Sequence, residues 1–101
     1  MYIESWGNKA AEEIWEHEKS DAVPRELWER AKLLLTIMYH ENQLKLMADR
    51  GMPPRTNLHK YKGTEATWSI DILGRKNPWR ILFEFEDGKY HNVRIVDPHK
   101  G

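Results

Sequence analysis

The sequence predicts an α+β fold: N-terminal helices packed on one face of a three- to four-stranded antiparallel sheet. Three observations predict it. In the first half, apolar side chains recur at helical spacing, as in Leu27, Ala31, Leu34, Leu35 and Met38. In the second half the period drops to two, as in Ala66, Trp68, Ile70 and Ile72 against Thr67, Ser69 and Asp71. Between the halves, Gly51 and Pro53-Pro54 end all helix. A length of 101 residues gives one domain spanning 1–101.

Each element has its own signal. Residues 2–6 suit a short strand. Asn8 is an N-cap, and residues 10–19 carry Ala10, Ala11, Ile14 and Trp15 on one helical face. Pro24 suits the first turn of a second helix, with Glu26 and Glu29 near its positive end. His40-Glu41-Asn42 is a weak point where that helix stops or bends, and residues 43–49 suit another turn or two. Residues 74–78 form a turn. Trp79, Ile81, Phe83 and Phe85 then alternate with Arg80, Leu82, Glu84 and Glu86, Asp87-Gly88 is a hairpin turn, and residues 90–96 return as a strand. The aromatic side chains at these spacings belong to the core. The helices cover the apolar face, and Arg80 and Arg94 project from the uncovered one. Arg94 is expected to pair with Glu84 or Glu86 across strands.

Composition narrows the function. The absence of Cys excludes a disulfide framework, a cysteine nucleophile and any Cys-based zinc site. No run of 18 apolar residues exists, so no membrane span is expected. The first residues lack the pattern of a signal peptide, and a cytoplasmic location is expected. A formal net charge of zero hides an asymmetry: residues 1–50 carry seven basic and ten acidic side chains, residues 51–101 nine and six. Arg50, Arg55, Lys60 and Lys62 lie between Asp49 and Glu65 with no acid among them, and Arg75, Lys76 and Arg80 lie likewise between Asp71 and Glu84. Converging, these segments make a positive patch suited to a phosphate-bearing partner. Lys60, Arg55, Arg75 and Lys76 are the candidate RNA-backbone contacts.

No phosphate-binding glycine loop, G-x-S-x-G elbow or H-E-x-x-H zinc motif is present. His59, Lys62, Arg80, Asp97 and His99 lie in or beside the cation-rich segments. That set has the composition for cutting RNA without a metal or other cofactor, through attack of the 2′-hydroxyl on the adjacent phosphate. The reaction needs a base, an acid and cations to stabilise the extra charge on phosphorus. His, titrating near neutral pH, suits the proton transfers, and Lys and Arg suit the charge.

The order of these residues resembles a known pattern. Leu58-His59-Lys60-Tyr61-Lys62-Gly63 followed by Trp68-Ser69-Ile70 is similar to the L-H-x-L-K-G…W-S-I of HigB-type toxins in the RelE/ParE superfamily. Trp79-Arg80-Ile81-Leu82-Phe83 matches the W-R-I-x-F strand, Glu86-Asp87-Gly88 the turn after it, and Val93 through Asp97-Pro98-His99 the closing V-x-x-x-D-Y-H. The match covers residues 58–99. The resemblance implies a toxin of a type II toxin–antitoxin system, a metal-independent endonuclease that cuts mRNA on the translating ribosome. It also implies a cognate helix-turn-helix antitoxin as partner, with operator DNA bound only through that antitoxin.

Carried over by position, the resemblance assigns Lys62 to phosphate or transition-state charge and His59 to substrate contact or proton transfer. Arg80 would hold the scissile phosphate, His99 would be the general acid or base, and Asp97 would orient His99 or a basic neighbour. One position departs: Pro98 stands where the family has Tyr, removing a backbone donor and a stacking surface. Two alternatives keep the scaffold. One is a ParE-like inhibitor of DNA gyrase, against which a C-terminal His argues. The other is a non-catalytic module acting with its antitoxin, a reading that Pro98 keeps open.

Overall fold

The computed structural model describes residues 2–41, 56–61, 63 and 66–98. Its elements follow in the order α1 (Lys9–His17), a 3-10 turn (Arg25–Leu27), α2 (Trp28–His40), β1 (His59–Lys60), β2 (Thr67–Asp71), β3 (Arg80–Glu86) and β4 (Lys89–Val96). The strands form one antiparallel meander in the order β1-β2-β3-β4. The fold is α+β, with the helices ahead of the strands in sequence. Among the described residues, no helix is long and apolar enough to cross a membrane.

Local chemistry explains the boundaries. Asn8 caps α1: its side-chain oxygen accepts from the Ala11 amide, at 3.0 Å, satisfying an N–H that the first turn leaves without a partner. Its amide group also donates to the Ile95 carbonyl, at 2.9 Å, tying the helix start to β4. Glu18 ends α1 in the left-handed region at φ 61°. Pro24 precedes a 3-10 turn, so α2 proper begins only at Trp28, and Glu41 in extended conformation closes it. The turn suggested for residues 43–49 lies outside the described residues. Asp87 and Gly88 both have positive φ, 53° and 74°, as a tight hairpin with the sheet's twist requires.

The N-terminal segment makes a less obvious contact. Residues 3 and 6 form isolated bridges to Tyr90 and Val93 in parallel orientation, with hydrogen bonds from Glu4 N to Tyr90 O and Gly7 N to Val93 O, both 2.7 Å. It extends the sheet beyond β4. There β4 carries an irregularity: Leu82 faces Arg94, whereas Glu84 faces His91, so one residue on β3 (Phe83) stands against two on β4 (Asn92 and Val93). Asn92, at φ 58°, sits at this bulge. The extra residue lets Tyr90 and Val93, three apart, both face the helices.

One core joins the layers. Ala11 and Ile14 of α1, together with Ala31, Leu34, Leu35 and Met38 of α2, meet Ile70, Ile81, Phe83, Tyr90, Val93 and Ile95 of the sheet, all fully or almost fully buried. Each large side chain buried this way stabilises the fold by about 1.5–3 kcal/mol. Trp6, Trp15, Trp28, Trp68, Trp79 and Phe85 pack around it. Tyr90 donates its hydroxyl to the Glu41 carbonyl, and burial, with the negative charge of Glu41, pushes its pKa well above the usual tyrosine range.

The opposite face is not bare. Register puts His59, Ser69, Leu82 and Arg94 in one row across the four strands and Asp71, Arg80 and Val96 in the next, all pointing away from the core. Of these, Ser69, Asp71 and Leu82 are buried. Alternation placed them on that face, but their burial is a tertiary property that the pattern does not carry.

Candidate functional site

The turn joining β2 to β3 organises one end of this face. Gly74 takes φ 81°, and Asn77 accepts from the Trp79 amide through its side chain, at 3.0 Å, closing the turn. Arg75 and Lys76 lie at its exposed tip. Arg80 opens β3 directly beneath.

The Arg80 guanidinium is largely committed. Its Nη1 donates to the carbonyls of Trp79, at 3.0 Å, and Asn77, with Gly74 at 3.5 Å. Its Nη2 donates to the Arg75 carbonyl at 3.2 Å. Its Nε stands 3.0 Å from Asp71 Oδ1. A guanidinium has five N–H donors, so one Nη2 hydrogen has no partner among the described residues.

Asp71 was not among the residues singled out from sequence. It is 1% exposed, and Arg80 is 15% exposed. The Nε–H does not point along the line to Oδ1, so charge holds the pair together; neither carboxylate oxygen accepts a hydrogen bond. The Asp71 amide is tied to the Thr56 carbonyl at 2.7 Å. A depression of about 360 Å³ beside the pair is lined by Asn57, Asp71, Gly74 and Arg75. A signal existed: pairing Ile70 with Ile81 across the hairpin places Asp71 opposite Arg80.

The other predicted residues divide into three groups. His59 is exposed and shares the face with Arg80, two strands and two residues away, roughly 12 Å between Cα atoms at ideal sheet spacings. Its Nδ1 lies 2.6 Å from the Asn57 carbonyl. A carbonyl only accepts, so Nδ1 carries the proton, and in the neutral ring Nε2 is left as the acceptor. Asp97 follows Val96, the register partner of Arg80, and so joins the same end of the sheet. Lys60 points to the other face, its ammonium 5.5 Å from the centre of the Trp68 ring. Lys62, His99 and Arg55 lie outside the described residues.

The structure therefore gathers Arg80, Arg75, Lys76 and Asp97 at one end of the sheet, with His59 farther along the same face. Among the described residues, no three His, Asp or Glu side chains cluster as a metal ion would require. No family model matches the chain, and no curated protein does.

Farther along the same face, Arg94 has the partner expected of it. Its Nη2 and Nη1 meet Glu84 Oε2 and Oε1 at 3.2 and 3.3 Å, a two-pronged contact. Thr67 and Asn92 also donate to Glu84, at 2.9 and 3.2 Å. Burial works against ionisation of Glu84, but these hydrogen bonds and the Arg94 charge outweigh it, holding its pKa below the ordinary 4.5.

Proposed function

We propose that this protein is a HigB-type toxin of the RelE/ParE superfamily, a metal-independent endoribonuclease that cuts mRNA on the translating ribosome and is neutralised by a helix-turn-helix antitoxin. The ordered motifs over residues 58–99 suggest the reading. One geometric observation supports it further: among the described residues Arg80 keeps one Nη2 hydrogen without a partner, at an end of the sheet that also bears Arg75, Lys76 and Asp97, with His59 on the same face.

The chemistry assigned to these groups is in-line attack of a 2′-hydroxyl on its own 3′-phosphate. Arg80 and Lys62 would hold the phosphate oxygens, stabilising charge that grows in the transition state. His99 would protonate the leaving 5′-oxygen or take the 2′-hydroxyl proton, and His59 Nε2 is available for the complementary transfer. Asp97 would orient His99 or a cation. Lys60 faces Trp68 on the other side of the sheet and has no part in this set.

A second reading has its own support. Arg80 spends most of its donors on backbone carbonyls, which suits a non-catalytic module that acts only with its antitoxin.

Expression without an antitoxin distinguishes the two. The nuclease reading expects growth arrest with shortened transcripts, relieved by His99→Ala in a protein that still folds. Unimpaired growth at good expression of the wild type overturns it. Arg80→Ala is a poor probe, because it strips a buried carboxylate of its counter-charge and confuses folding with activity.

A further inference from the structure

We propose that Asp71 is a positioning residue for RNA cleavage: its buried carboxylate aims the Arg80 guanidinium and offsets its charge, so that Arg80 acts on the phosphate through one directed N–H. The inference rests on the nuclease reading above and adds a residue outside the motif-matched set.

Asp71 is a costly choice for stability alone. A carboxylate 1% exposed, with no hydrogen bond to either oxygen, has lost its hydration and regains only the pull of Arg80. An apolar side chain would suit this position on packing grounds, since Asp71 is 1% exposed and Ser69 and Leu82 on the same face are buried as well. The pair also sits against the depression lined by Asn57, Gly74 and Arg75, beneath the cationic turn, and not in the middle of the sheet.

The arrangement has two consequences. First, orientation: Asp71 lies on the Nε edge while the carbonyls of Asn77, Trp79 and Arg75 take hydrogens of Nη1 and Nη2. The guanidinium is held on three sides, and only part of Nη2 points elsewhere. Second, charge: a neutralised Arg80 adds little to the attraction of resting RNA, and its N–H matters most when charge develops on the phosphate. Removing the Asp71 charge therefore separates binding from catalysis. Arg80 becomes a fuller cation that grips RNA harder and is aimed less well.

The test compares wild type with Asp71→Asn, which keeps size and shape. Binding is read with an RNA carrying 2′-deoxyribose at the scissile position, which cannot be cut, over a range of salt concentrations. Cleavage is read with the matching all-ribose RNA on ribosomes. The expected result for Asp71→Asn is a lower KM, a dependence of binding on salt steeper by about one, and a kcat reduced on the order of 10- to 100-fold. The Arg80 Nε–H resonance should move and exchange faster with water. Unchanged kcat and KM, or a rise in KM with the salt dependence unaltered, overturns the proposal. Should Asp71→Asn not fold, Asp71→Glu replaces it: it keeps the charge beside Arg80 but moves the carboxylate by one methylene, so kcat should fall with the salt dependence of binding unchanged, and an unchanged kcat overturns the proposal. A wild-type protein that cuts no RNA sinks the nuclease reading instead, a result distinct from wild-type cleavage that Asp71→Asn leaves untouched.

Discussion

Two carboxylate–arginine pairs occupy the same face of the sheet and are built on opposite principles. Glu84 and Arg94 are partly exposed, at 30% and 22%, and meet through both prongs of the guanidinium, with Thr67 and Asn92 supplying further donors. Asp71 and Arg80 are 1% and 15% exposed and meet off-line, the carboxylate accepting no hydrogen bond while the guanidinium turns to backbone carbonyls. The first pair is saturated and needs nothing further. The second is left electrostatically tense beside a cationic turn and a depression. Saturation suits a structural clamp, whereas incomplete satisfaction beside a cationic turn suits the proposed site.

Substitutions can break this contrast, and the largest effect belongs to the buried pair. Arg80→Ala leaves Asp71 as an uncompensated buried charge, and urea unfolding should show a loss of about 3–5 kcal/mol. Adding Asp71→Ala to the same chain should recover part of that loss. A loss under about 1 kcal/mol would contradict a tight dependence of Asp71 on its Arg80 partner.

The clamp depends on the bulge in β4, which Gly7 makes possible. A Cβ at Gly7 would lie 2.6 Å from the Asn92 carbonyl oxygen and 2.8 Å from Asn92 Oδ1. Gly7→Ala should therefore lower stability by about 1–3 kcal/mol, as overpacking does, and release Asn92 from Glu84. Thermal unfolding with amide exchange at Asn92 checks this; full protection there would contradict it. Removing the clamp itself is milder. Arg94→Gln should cost about 1 kcal/mol in urea unfolding, because the pair is partly solvated and Thr67 and Asn92 still serve Glu84. A cost equal to that of Arg80→Ala would erase the distinction between the pairs.

The smallest effect is on acid stability. The folded-state pKa of Glu84 lies below its unfolded value, so its contribution is fully present above about pH 4.5 and is lost as pH falls through the folded pKa. Urea midpoints measured between about pH 5 and pH 3 should fall less steeply in Glu84→Gln than in wild type. Identical slopes would contradict the hydrogen-bonded network.

Sequence pattern reached the elements more readily than the site. The Asn8 cap, the Asp87-Gly88 hairpin and the alternation through Ile81 and Phe83 are local signals, and each appears where local chemistry places it. Arg94 finding Glu84 follows from proximity on neighbouring strands. The bulge at Asn92 was not legible, since it depends on the segment around Gly7 lying alongside β4. The burial of Asp71, Ser69 and Leu82 was not legible either, because alternation reports which face a side chain takes and not what lies over that face. At the candidate site, motif order pointed to Arg80, His59 and Asp97 but passed over Asp71, whose proposed role depends on an ion pair across the hairpin. Lys62, His99 and Arg55 fall outside the described residues.

Mapping transcript 5′ ends in a bacterium that expresses this chain alone puts the central claim to its most direct test, with wild type, Asp71→Asn and Arg94→Gln induced to equal folded levels. The account expects new 5′ ends inside open reading frames with wild type and Arg94→Gln, and far fewer with Asp71→Asn. Intact transcripts with wild type, or cleavage that survives Asp71→Asn and disappears with Arg94→Gln, would contradict it.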